Sequence, residues 1–246
     1  MAASICILTG ASRGLGLAMA RQLRACGQRL LALSRQPNAE LDGRDVEQWA
    51  VDLSQPAEAA ARLRVWVAAL PRNQFASLTL INNAAGLATL APLGDVDAAE
   101  LSQALRVGLE APMLLTAAFL DASADLTVPR KVLNISTGLA RSAIAGGAVY
   151  CAAKAGLDHL SRAIALEEAA RPNGAKIVSL APGVIDTDMQ LQLRSADAQA
   201  FFERARFASL KNEGRLDSAE AAAAKVLAWL ERADFGSNPI GDVRDA

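Results

Sequence analysis

The sequence predicts an α/β fold, a doubly wound parallel sheet with helices on both faces. Three observations predict it: short runs that are apolar throughout, longer amphipathic stretches between them, and regular alternation of the two along 246 residues. A strand that is apolar on both faces has to be covered on both, so helices are expected above and below the sheet.

The elements follow in order. Residues 5–8, 30–33, 50–53, 78–81, 132–135 and 177–180 are expected as buried strands. Residues 14–26, 56–70, 98–120, 148–170 and 218–232 are expected as helices, each long enough to cross between parallel strands. Gly27 stands where the first helix needs a left-handed cap, and Pro56 stands at a helix start. Pro172-Asn173-Gly174 ends the helix that begins at residue 148. The alanines at 221–224 continue a helical face through Val226, Leu227 and Leu230. No linker or internal repeat interrupts the pattern, so one domain over residues 1–246 is expected.

Composition excludes several classes. Hydrophobic residues make up 52% and charged residues 21%, with mean hydropathy +0.20, which is not the profile of a disordered chain. The formal net charge is -1 and basic residues are dispersed, so no nucleic-acid partner is expected. His159 is the one histidine, and Cys6, Cys26 and Cys151 lack metal-ligand spacing, which argues against a protein-built metal site and a His-dependent triad. The start Met1-Ala2-Ala3-Ser4 has no basic region followed by an apolar segment, and no apolar run reaches about 18 residues. A cytoplasmic protein without a membrane partner is the expectation.

The first strand runs into Thr9-Gly10-Ala11-Ser12-Arg13-Gly14-Leu15-Gly16, a glycine-rich turn that opens a helix. Backbone N–H groups and the helix dipole can hold a pyrophosphate there. An NAD-preferring site places a carboxylate at the end of the second strand, and here the strand ends in Ser34-Arg35. Arg35 and Arg13 can form a cationic pocket for a 2′-phosphate, so NADP(H) is the expected cofactor. Asp52-Leu53, after the third strand, is placed to meet an adenine, and Asn82-Asn83-Ala84-Ala85-Gly86 turns at the same sheet edge.

Tyr150 and Lys154 lie four apart on a helical pattern and therefore on one face. A nearby ammonium favours tyrosinate and is expected to bring the phenol's pKa toward the working pH. Tyr150 is the only tyrosine in the chain.

Together, Thr9 to Gly16, the turn at Asn82, Asn134-Ile135-Ser136-Thr137, Tyr150-x3-Lys154 and Pro182-Gly183 resemble the short-chain dehydrogenase/reductase family over the whole chain. The resemblance implies a Rossmann-like fold, a small carbonyl substrate and a homodimer or homotetramer. It implies Tyr150 as proton donor, Lys154 as its partner and a hydroxyl thirteen residues before the tyrosine, which is Thr137, with Ser136 beside it. Within the family the chain is most similar to sepiapterin reductases and bacterial benzil reductase-like members, through Tyr150-Cys151-Ala152-Ala153-Lys154 and the run from Ala181 to Gln190. This likeness implies that Pro182, Gly183, Val184, Ile185 and Thr187 line the cofactor, and that Gly147, Cys151, Met189, Gln190 and Asp242 face the substrate.

The sequence departs from the family in three places. Gly108 stands where the family has an asparagine, so water or a backbone carbonyl would have to support Lys154. Thr137 replaces the usual serine, which keeps the hydroxyl and adds a methyl. Gly147 leaves out an aromatic wall, favouring a 1,2-dicarbonyl or aromatic ketone over a pterin side chain. Residues 187–216 are expected as a small helical lid, with Phe201, Phe202 and Phe207 either covering an apolar substrate or packing as core. Asp242 is either a substrate anchor or an exposed tail acid. The expected function is NADPH-dependent carbonyl reduction; a 3-oxoacyl thioester or sugar substrate and a catalytically weak nucleotide sensor remain as alternatives.

Overall fold

The computed structural model describes residues 2–72 and 74–245; Met1 and Ala246, the ends of the expected 1–246 domain, and Asn73 lie outside the described residues. Among the described residues seven strands form one sheet: β1 (Ile5–Thr9), β2 (Arg29–Ser34), β3 (Val46–Ala50), β4 (Leu78–Asn82), β5 (Arg130–Ile135), β6 (Lys176–Ala181) and β7 (Ile240–Asp242). The order is β3-β2-β1-β4-β5-β6-β7 and every pairing is parallel. All carboxyl ends therefore share one edge, and the order reverses between β1 and β4, where doubly wound sheets open a crevice.

The crossover helices are α1 (Gly14–Ala25), α2 (Pro56–Ala68), α3 (Ala98–Leu105), α4 (Ala111–Ala122) and α5 (Ala148–Ala169). Two short helices, α6 (Asp188–Ser195) and α7 (Arg204–Asn212), precede α8 (Ala219–Leu230). One core lies on the face of α2 and α4, with Leu63, Leu78, Leu80 and Phe119 at its centre; the other lies under α1 and α8, with Leu8, Met19, Leu30 and Val226. Each such side chain contributes about 1.5–3 kcal/mol by leaving water, so the sheet edge rests on a well-supported base.

Three expectations need correction. The third strand is Val46–Ala50, not 50–53. It is the sheet edge, only Trp49 is buried, and Gln48 bonds Asn38 and Asp42, so its apolar signal is weak while the run after it leaves the sheet. The strand β7 was not expected at all, because three residues containing Gly241 carry no periodicity; it exists by pairing with β6. The helix expected over 98–120 is broken by a π-helical turn, Arg106–Glu110, between α3 and α4. Gly108 lies buried in that turn, and a Cβ on it would sit 3.2 Å from Ala153 on α5.

Candidate active site

The crevice at the β1/β4 junction is built from glycine. A Cβ on Gly16 would lie 2.0 Å from the Gly10 carbonyl oxygen, and one on Gly10 would lie 2.9 Å from Asn83 Nδ2. Gly10 and Gly14 take positive φ, +69° and +53°, which side chains adopt at a cost. Helix α1 begins there with no side-chain cap and no acid in its first turn, so its first N–H groups remain available to an anion. Asn83 holds the two loops together: Thr9 Oγ1 accepts from the amides of Asn83 and Ala84 at 2.9 and 3.0 Å, and Asn83 Nδ2 donates to the Thr9 carbonyl at 3.0 Å. Its side chain is thus committed to the turn. Ser12 and Ala85 lie half-buried beside it, with the Ser12 carbonyl accepting from Asn38.

At the adenosine side, Arg35 is exposed just beyond β2, and Ser34 is buried with its hydroxyl on the Gln36 carbonyl. Asp52 accepts from the Ser54 amide at 2.9 Å, which holds its carboxyl below the usual range. The Leu53 side chain packs into the core, so a contact with the cofactor there would be made by its backbone. Arg13 pairs with Asp188 at 3.2 Å across the mouth.

The chemical groups come from β5 and α5. Thr137 follows the end of β5 and interacts with the Tyr150 hydroxyl, a hydrogen bond that favours tyrosinate. Burial outweighs it and pushes the phenol up to about 12, so the expected lowering by Lys154 is overturned for the protein alone. Lys154 lies 6.0 Å from the Tyr150 ring centre and donates to the Ile135 carbonyl at 2.6 Å. Its burial brings it down to about 8, against the opposing pull of Asp158. The Ile135 carbonyl therefore gives Lys154 the backbone support expected in the absence of an asparagine at 108. Ser136 is not at the reacting centre: it is buried and donates to Asp158 at 2.6 Å, because consecutive strand residues point to opposite faces.

The run after β6 forms the other wall. Pro182 is buried, Gly183 has φ +84°, and a Cβ on Gly14 would lie 3.5 Å from Thr187, so Thr187 faces the glycine turn. Val184 and Ile185 pair with Asp217, which brackets the segment expected as a lid. Within it, Phe201 stacks on Phe207 at 5.8 Å, packed with Ile144 and Cys151. Gly146, at φ +75°, is the seat for Phe201: a Cβ there would lie 2.9 Å from the ring. Phe202 points to solvent and leaves the expected aromatic set. Gln190 also departs from the expected substrate contacts, since it donates to the Phe207 carbonyl and accepts from Arg194. Met189 is half-buried on α6, and Gly147 precedes α5.

Asp242 is neither an exposed tail acid nor a free anchor. It is buried in β7, and its carboxylate accepts from the backbone N–H and guanidinium of Arg244. A small cleft beside Tyr150 is lined by the aliphatic Leu87, Leu90, Leu93 and Val96 together with Thr89 and Gly147. Sequence reasoning missed Asp158, Arg141 and Ser179, which meet below Thr137. The signal available was an acid at i+4 from Lys154 and i+8 from Tyr150, on the face that carries both.

A family model described as short chain dehydrogenase matches residues 4–198. The chain belongs to the short-chain dehydrogenase/reductase family. It is 33% identical to benzil reductase ((S)-benzoin forming) of Bacillus cereus over 96% of both chains. It is 34% identical to sepiapterin reductase of Meriones unguiculatus, covering 98% of this chain and 97% of that one. A solved short-chain dehydrogenase/reductase from Burkholderia vietnamiensis superposes with a TM-score of 0.65 at 31% identity, covering 98% and 97%. As a member of this family the chain is an oxidoreductase that uses a nicotinamide cofactor on a small molecule. Among the described residues no helix is long and apolar enough to cross a membrane.

Proposed function

We propose that this family member is an NADPH-dependent carbonyl reductase acting on a 1,2-dicarbonyl or aromatic ketone, one cytoplasmic domain with residues 187–216 as its lid. The observation that carries the reading is a protonated Tyr150 hydroxyl, joined to Thr137, beside a cleft whose side chains are mostly aliphatic. The glycine cradle and uncapped helix start fit the pyrophosphate of a dinucleotide. Arg35 and Arg13 favour a 2′-phosphate; the Arg13–Asp188 pair is exposed on both sides, so it gives way to a phosphate for about 1 kcal/mol or less.

The bound cofactor supplies the hydride. Tyr150 gives its phenolic proton to the carbonyl oxygen, and Thr137 donates a hydrogen bond to the same atom as charge builds there. Lys154, held on the Ile135 carbonyl, places positive charge behind the phenol as it loses its proton. The Phe201–Phe207 stack packs behind Leu90, which lines the cleft. The lack of an aromatic wall at Gly147 supports a dicarbonyl over a pterin.

The test is NADPH oxidation with a panel of aromatic and aliphatic 1,2-diketones, pterins and acyl thioesters. Diketone turnover that is lost in Tyr150→Phe is expected. Full activity in Tyr150→Phe refutes the mechanism, thioester-only activity favours the lipid alternative, and NADPH binding without any turnover favours a sensor.

A further inference from the structure

We propose that Asp158 is a positioning residue for the reaction: one buried carboxylate fixes the Thr137 hydroxyl by gripping both the residue before it and the turn after it. The proposal rests on the reading of Tyr150 and Thr137 as the reacting pair.

Sheet pairing ends just before Thr137. The last bonds are the β5–β6 register at Ile135 and the Ser136 amide on the Leu180 carbonyl, 2.8 Å. Beyond them the backbone leaves the sheet in an extended conformation and enters a short turn, Gly138–Ala140. Thr137 itself contributes two local bonds, from the Leu139 amide to its hydroxyl at 3.3 Å and from the Ala140 amide to its carbonyl at 3.1 Å. The hydroxyl also meets the Tyr150 hydroxyl on α5, but none of these bonds holds the Thr137 backbone at a fixed distance from that helix.

Asp158 does. Its Oδ1 accepts from Ser136 at 2.6 Å and from Ser179 on β6 at 2.7 Å, and its Oδ2 accepts from Arg141 Nε at 3.2 Å. Arg141 closes the turn after Thr137 and also donates to the Gly241 carbonyl of β7 at 3.0 Å. Thr137 is thereby flanked by two residues tied to one atom group on the helix that carries Tyr150 and Lys154. The side chain of Asp158 is 3% exposed, and a buried carboxylate is a costly way to join two strands that apolar residues could join as well. The three elements it unites are those whose relative placement the proton transfer needs, and it also opposes the effect of burial on Lys154.

The variants are Arg141→Met, which removes the grip on the turn from a partly exposed position, Arg141→Lys, which restores a cation, and Asp158→Asn. A displacement of about 1 Å costs on the order of 10²-fold in rate. The expected result is a fall in kcat of at least about tenfold for Arg141→Met and Asp158→Asn, with NADPH Kd unchanged and kcat largely recovered in Arg141→Lys. Hydrogen exchange at the amides of Ala140, Arg141 and Ser142, which close the turn, is expected to accelerate in Arg141→Met while the core strands stay protected. Wild-type kcat together with wild-type exchange overturns the proposal, as does a loss of kcat that tracks a loss of NADPH affinity and Tm. If Asp158→Asn does not fold, Arg141→Met decides. If the wild type turns over no carbonyl, the functional reading fails by itself and the exchange at the turn decides the role of Asp158.

Discussion

Raising the pH to 10 separates the phenol of this protein from an ordinary one. Burial holds Tyr150 at about 12 against an ordinary value of 10.0, and the chain has no other tyrosine to obscure the signal. At pH 10 the folded protein without cofactor is expected to be about 1% tyrosinate, whereas the unfolded chain is about 50%. The assay is tyrosinate absorbance at that pH, with and without guanidinium. A folded spectrum showing a third or more tyrosinate refutes the claim that burial dominates over Thr137 and Lys154. The same shift bears on stability. The folded state holds the proton more tightly, so its contribution is complete below pH 10 and is lost between pH 10 and 12, about 2.7 kcal/mol in all. Lys154 acts in the opposite sense, because its lowered pKa makes the unfolded chain bind more protons between about pH 8 and 10.5. Denaturant midpoints are therefore expected to rise from pH 8 toward 10 and to fall beyond it. At neutral pH the phenol is protonated, the form that reduction consumes.

Other perturbations test separate parts of the structure. Arg13→Ala with Arg35→Asp is expected to weaken NADPH binding far more than NADH binding, measured by fluorescence titration; equal losses contradict a 2′-phosphate pocket. Gly16→Ala places a methyl where the Gly10 carbonyl oxygen stands, so cofactor affinity is expected to fall by about 10²-fold, and unchanged affinity means that the turn does not hold the pyrophosphate. Gly146→Ala is expected to unseat Phe201, raising the diketone KM and the exchange rate of the α6–α7 amides with little change in NADPH Kd. Arg130→Met, which strips the cation from a pair with the buried Glu168 at 3.8 Å, is expected to cost about 3–5 kcal/mol in denaturant unfolding, far from the site.

Legibility followed the physical origin of each feature. Strands β1, β2, β4, β5 and β6 are apolar on both faces, so their runs are visible without any partner. The edge strands are not: β3 pairs only with β2 and buries one tryptophan, and β7 is three residues long. Thr137 was located because a fixed spacing to Tyr150 survives in the chain, and Ser136 was separated from it once the alternation of the strand was realised in space. The phenol's pKa is not legible in the sequence, because spacing reports the nearness of Lys154 while burial is a property of the packed fold. Gln190, Phe202 and Asp242 lie on segments whose side-chain directions depend on the lid and the last strand, and no local pattern announces them.

By itself the sequence determined the sheet and its covering helices, the glycine turn at the head of α1 and the pairing of Tyr150 with Lys154. These are local consequences of periodicity, backbone freedom and helical spacing. Tertiary structure alone decided which groups are free to react. It committed Ser136 to Asp158 and Asp242 to Arg244, seated Phe201 on Gly146 and placed Lys154 on the Ile135 carbonyl. The physical reason is that a buried polar group takes whichever partner the fold brings within about 3 Å; the partners of Ser136 and Lys154 lie 22 and 19 residues away along the chain, and even the neighbouring Arg244 meets Asp242 only because β7 is buried against β6.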